Sequence, residues 1–77
     1  MASLADVKTL IADQLGLSSA EVSQDSRIVE DLGAESSDVA NIVAAIEDRF
    51  GIAVSEEEIQ GFITVNDVYM GLRQHGG

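Results

Sequence analysis

Cysteine is absent from the 77 residues, so no disulfide can staple the chain, and a fold this small must be held by apolar packing alone. Basic residues are scarce: 4 Lys and Arg stand against 14 Asp and Glu, for a formal net charge of −10. A surface of that sign repels nucleic acid and anionic membrane and attracts partners with basic patches, although the same acidity also serves plain solubility. No eighteen apolar residues run together, and Met1 to Asp6 lack the basic start and long apolar stretch of a secretory signal. A soluble, cytoplasmic protein without membrane insertion is expected. Aromatics are limited to Phe50, Phe62 and Tyr69, and the one histidine, His75, lies in the tail, where no Ser-His pair or metal cluster can be assembled around it. A calcium loop of the D-x-D-x-D-G type, a Gly-rich phosphate loop and a basic stripe are all missing.

What is present is helical periodicity. Hydrophobic residues make up 45% of the chain and recur at helical spacing, which argues against disorder and for one domain spanning 1–77. Ser3 caps a first helix with Asp6 in its opening turn, and Leu4, Val7, Leu10, Ile11 and Leu15 share a face until Gly16 stops it. A long connection, Leu17 to Leu32, follows, with Leu17, Val22, Ile28 and Leu32 as apolar anchors and a capping signature, Ser18 to Glu21, that predicts one short helical turn. The second helix is expected from about Ser36 to Phe50, burying Val39, Ile42, Val43, Ile46 and Phe50. Ser55 and Glu58 form a capping box for a short third helix reaching about Gln60, with Ile59 and Phe62 facing inward. Thr64 caps a fourth, with Asp67 in its first turn and Val65, Val68, Tyr69 and Leu72 as its apolar face, and Gln74 to Gly77 reads as a frayed tail. With no β-strand signals and no repeats, the expected fold class is all-α: a small four-helix bundle of three main helices plus one short helix, with a long first loop. Its aliphatic core is compatible with a tight interior and with one that parts for an alkyl guest.

The stretch Asp31 to Asp38, D-L-G-A-E-S-S-D, places two small hydroxyls where a loop turns into the second helix. A helix start leaves unpaired N–H groups and the positive end of the macrodipole, both of which favour an anion such as a phosphate on Ser36. N-capping by Ser36 or Ser37 explains the same residues and, on the position alone, is the better explanation. Farther along, Glu47 and Asp48 lie at the helix C-terminus, where acids gain nothing from the dipole, and this invites a partner explanation.

Together, the order of elements and these residues resemble an acyl carrier protein, the small acidic four-helix carrier of fatty acid and polyketide synthesis. The likeness runs through Q-L-G-L, V-E-D-L-G-A, I-E-D-R-F-G, S-E-E-E-I and T-V-N-D-V, and so covers nearly the whole chain. The family's motif is D-S-L, its serine carrying 4′-phosphopantetheine; Ser36 takes that serine's place, and the resemblance implies that it is the attachment site. It further implies a carrier that is not itself an enzyme, a monomer that holds acyl intermediates as thioesters. The implied partners are a phosphopantetheinyl transferase, an acyl-ACP synthetase, and ketosynthase or acyltransferase enzymes with basic docking patches. Asp31, Glu35, Asp38, Glu47 and Asp48 are the acids expected to meet them, with Ser37, Ala40 and Asn41 on the same surface. Two departures stand out: Glu35 replaces the usual Asp, and Ser37 the usual Leu that contacts partner enzymes. Ala40, Asn41 and Ala44 are also smaller or less charged than is typical, which suggests a specialised discrete carrier. An unmodified acidic interaction module of the same fold and an aminoacyl or peptidyl carrier of a nonribosomal pathway are the alternatives.

Overall fold

The computed structural model describes residues 3–76 and shows four α-helices: α1, Leu4–Leu15; α2, Ser36–Phe50; α3, Glu56–Gln60; and α4, Val65–Gln74. A single 3-10 turn, Ser19–Glu21, lies in the long connection between α1 and α2. Each helix begins where its polar signals place it. Ser3 Oγ accepts the Asp6 N–H at 3.1 Å while Asp6 accepts the Ser3 N–H, and the Ser55 and Glu58 pair and the Thr64 and Asp67 pair repeat this reciprocal arrangement. Gly16 and Gly51 end α1 and α2 in the left-handed region, where a side chain would be strained.

α1 is the central helix, packed against both α2 and α4. Val7, Leu10, Ile11 and Ala12 of α1 meet Ile42 and Ile46 of α2 and Val65, Val68 and Leu72 of α4 in one buried cluster, which Val22, Ile28 and Ala34 of the connection complete. Leu17 and Leu32, Phe50, Phe62 and Tyr69 pack around it half-buried. Thus the anchors expected in the long loop do anchor it, and Val22 and Ile28 are as deeply buried as the helical residues.

Three features add to or differ from the expectations. First, besides the expected short turn the connection holds an isolated antiparallel β-bridge between Arg27 and Thr64. Around it Ile28 donates to the Ile63 carbonyl (2.8 Å), Val65 to Ser26 (3.0 Å) and Asn66 to Gln24 (3.0 Å). No strand pattern announces this, because the pairing is between one residue in a loop and one at a helix cap. Secondly, the tail is held as far as described: α4 runs through Gln74, and His75 Nε2 lies 2.7 Å from Glu58 Oε2, joining α4 to α3. Gly77 lies outside the described residues. Thirdly, neither Ser36 nor Ser37 is the N-cap of α2, for the reason given below.

Candidate functional site

The approach to α2 is a tightly bonded turn. The Arg27 carbonyl accepts from Asp31 and Leu32 (2.8 and 3.1 Å), Val29 accepts from Gly33 (3.1 Å), and Ile28 accepts from Ala34 (3.2 Å). Gly33 closes it with φ of 74°, and since nothing lies within 4 Å of where its Cβ would be, the backbone conformation and not crowding calls for glycine there. Asp31 Oδ2 takes the Arg27 N–H at 2.8 Å, a bond that, with help from the Arg27 side chain, holds the Asp31 carboxyl below the usual aspartate range. Buried Ile28 and Ala34 pin the turn to the core from beneath. The loop therefore delivers the next residues to a fixed place.

Glu35 is the N-cap residue, and its N–H donates to Asp38 Oδ2 at 2.9 Å. Capping is thus handled by the carboxylate three positions on. Ser36 and Ser37 become the first and second residues of α2, both exposed. Backbone N–H groups of a first helical turn have no partners within the helix, and fifteen residues of aligned peptide dipoles stand behind them. A phosphodiester on the Ser36 oxygen fits this setting: the hydroxyl is open to an incoming enzyme, and the helix end opposes the added negative charge. Glu35 works against that charge, and its exposure to water screens the repulsion.

The other expected contact residues separate into two groups. Glu35, Ser37, Ala40, Asn41, Ala44 and Asp48 are exposed, and Ser37, Asn41, Ala44 and Asp48 fall at spacings of four, three and four, on one face of α2. Asp31, which is exposed as well, and half-buried Asp38 and Glu47 also make hydrogen bonds within the fold. Glu47 is half-buried and accepts the Val54 N–H at 2.9 Å, fastening the segment between α2 and α3, so its position near the helix end has an internal explanation. Contacts that local reading misses are those between distant positions: Glu58 with His75, Gln24 Nε2 with Asn66 Oδ1 (2.7 Å), and the Phe62 ring against Gly71. Sequence separations of 17 and 42 leave no local signal for the two hydrogen bonds. Among the described residues no group of three or more His, Cys, Asp or Glu is placed to hold a metal ion.

Comparison with known proteins adds to this geometry. Residues 5–69 match the family model described as "Phosphopantetheine attachment site". The chain is similar to the acyl carrier protein of Wolinella succinogenes, at 43% identity over 68 residues that cover 88% of this chain and 90% of that one. The acyl carrier protein of a Sulfurovum species is 43% identical over 67 residues, 87% of this chain and 89% of its own. That of Chlamydia trachomatis is 39% identical over 70 residues, 91% of each.

Proposed function

The chain belongs to the phosphopantetheine-bearing family of acyl carrier proteins, and from that premise we propose that the Ser36 oxygen is the point where its arm is attached. The observation that supports this is the start of α2: Glu35 holds the N-cap position with its N–H on Asp38 Oδ2, so Ser36 is the exposed first residue of the helix and not its cap. In loading, a transferase brings coenzyme A to that hydroxyl. The Ser36 oxygen bonds to phosphorus, the pyrophosphate P–O bond breaks, the hydroxyl proton is lost, and 3′,5′-adenosine diphosphate leaves. Once bound, the group supplies a terminal thiol that carries acyl units as thioesters. The chain's own part is to present the oxygen on a rigid turn and to offer the helix end to the phosphodiester. It carries cargo and does not catalyse.

The exposed face of α2 supports a finer reading, a carrier dedicated to one lipid or polyketide pathway with its own enzymes. Ser37, Ala40, Asn41 and Ala44 present little apolar bulk and no charge there, so docking rests on the exposed acids Asp31, Glu35 and Asp48 and the overall field, to which a basic patch on the enzyme is complementary. Intact mass spectrometry after incubation with coenzyme A and a broad-specificity transferase tests the attachment. One phosphopantetheine is expected on the wild type and on Ser37→Ala, and none on Ser36→Ala. Loading of folded Ser36→Ala to the wild-type level would overturn the assignment. Elongation with a standard fatty acid synthase set should run well below the rate of a general carrier, and an equal rate would remove the dedicated-pathway reading.

A further inference from the structure

Three large hydrophobic side chains stand most exposed among the described residues: Val29 (55%), Ile63 (54%) and Met70 (46%). They come from three separate places in the chain, yet all three line two clefts that share one wall, the half-buried ring of Phe62. Val29 and Ile63 form the lips of the smaller cleft, about 110 Å³, and Met70 lines the larger, about 270 Å³, whose floor is Phe62 against Gly71. The scaffold beneath is fixed, since the Ile28 N–H bonds to the Ile63 carbonyl beside both lips and the Asp67 carboxylate ties down the N–H groups of Ile63 and Thr64. Scattered exposed apolar residues need no explanation, but convergence of all three on adjoining clefts does.

Charge decides what the surface takes. Glu30 borders the smaller cleft, and Glu57, Glu58 and Asp67 border the larger. The only Lys or Arg in either lining is Arg27, and its guanidinium is already engaged by Glu30 and Asp31. A second copy of a chain with net charge −10 is repelled, as is an anionic membrane. We infer that this surface, made by the Arg27–Glu30 turn, the α3 to α4 link and the outer side of α4, docks a basic amphipathic helix of a partner protein. Its apolar side chains enter the two clefts and its Lys and Arg meet Glu57 and Asp67 at the larger one. A cavity of about 150 Å³ holds a benzene ring, so the smaller cleft admits a branched aliphatic side chain and the larger an aromatic one. This surface is separate from the exposed face of α2, and it leaves a partner able to hold the carrier whatever the state of Ser36.

The test uses the full-length chain with isotope-labelled methyl groups and a synthetic helical peptide of about four turns, Leu and Phe on one face and Lys on the other, alongside a counterpart with Glu for Lys. Saturable shifts are expected at Val29, Ile63 and Met70 with the Lys peptide, diminished by salt, and none with the Glu peptide. Val29→Ser with Ile63→Ser, both at exposed positions and checked for retained helicity, should weaken binding about tenfold, and Glu57→Gln about twofold to threefold. Ser36→Ala should bind as the wild type does, so failure of this inference and failure of the attachment reading are told apart. Several outcomes would overturn it: shifts centred on the Ala40 and Ala44 methyls of α2, equal binding of the two peptides, or affinity unmoved by the double substitution. Concentration-dependent self-association through the same methyls, or their displacement by a short acyl thioester in place of peptide, would assign the surface to another occupant.

Discussion

Ser36 and Ser37 are chemically alike, adjacent and both exposed, and what distinguishes them is the register of the turn before them. The capping contact from Asp38 to the Glu35 N–H sets where α2 begins and hence which serine is its first residue. Removing that contact by Asp38→Ala should lower stability by about 1 kcal/mol and slow loading of Ser36, as read by thermal melting and by the time course of mass gain. Glu58 gives a pH-dependent counterpart. The hydrogen bond with His75, helped by the Ser55 N–H, holds its carboxyl below the ordinary glutamate range, so the native state favours the ionised form. Stability from a depressed carboxyl is present above its unfolded value and is lost as pH falls through the folded one. The melting temperature of Glu58→Gln should therefore fall below that of the wild type near pH 6, and the gap should begin to narrow as pH falls below the ordinary glutamate value of about 4.3. A gap that persists undiminished at pH 3 would place the effect in packing.

At the scale of elements, α3 is the weakly held piece. Its five residues contribute no fully buried side chain, and it is kept in place by ties at its edges: Glu58 to His75 and, just beyond the helix, Phe62 on Gly71. A Cβ on Gly71 would lie 2.9 Å from Phe62 Cε1, so Gly71→Ala displaces the ring. Replacing a helical glycine by alanine is worth about 1 kcal/mol in propensity, while overpacking costs about 1–3 kcal/mol. The substitution should thus be destabilising or neutral in the wild type and stabilising by about 1 kcal/mol in a Phe62→Ala background. Chemical denaturation of the four proteins of this cycle measures the reversal, and additivity would show that the ring does not press on α4. The α1 to α2 connection is the opposite case. Buried Val22, Ile28 and Ala34 and the bonds to Ser26, Gln24 and Ile63 make it part of the core, although it has only one 3-10 turn of regular structure.

For the whole molecule, the net charge of −10 opposes compaction. Salt should raise the melting temperature by screening this repulsion. Since no three-ligand group is formed among the described residues, Mg²⁺ should do so no more than NaCl at matched ionic strength. Calorimetry in the two salts distinguishes screening from site binding, and a rise specific to Mg²⁺ at sub-millimolar concentration would reveal a site. No helix is long and apolar enough to cross a membrane among the described residues. The charge also gives the carrier reach, because basic surfaces are drawn in from beyond contact distance at low salt.

Local chemistry was enough to read the four helices from the sequence. Capping pairs three residues apart, apolar stripes of helical period and glycines at helix ends act within a turn or two, and the bounds of α1 and α2 agree with those signals. The sequence alone also singles out the D-L-G-A-E-S-S-D turn, because a motif is by nature a run of neighbours. Only the tertiary structure decided what joins distant positions: the Arg27 to Thr64 bridge, the Glu58 to His75 tie, the internal use of Glu47, and the gathering of Val29, Ile63 and Met70 around Phe62. Each is set by how the helices cross and by where the connections run, and periodicity along one segment carries no record of either.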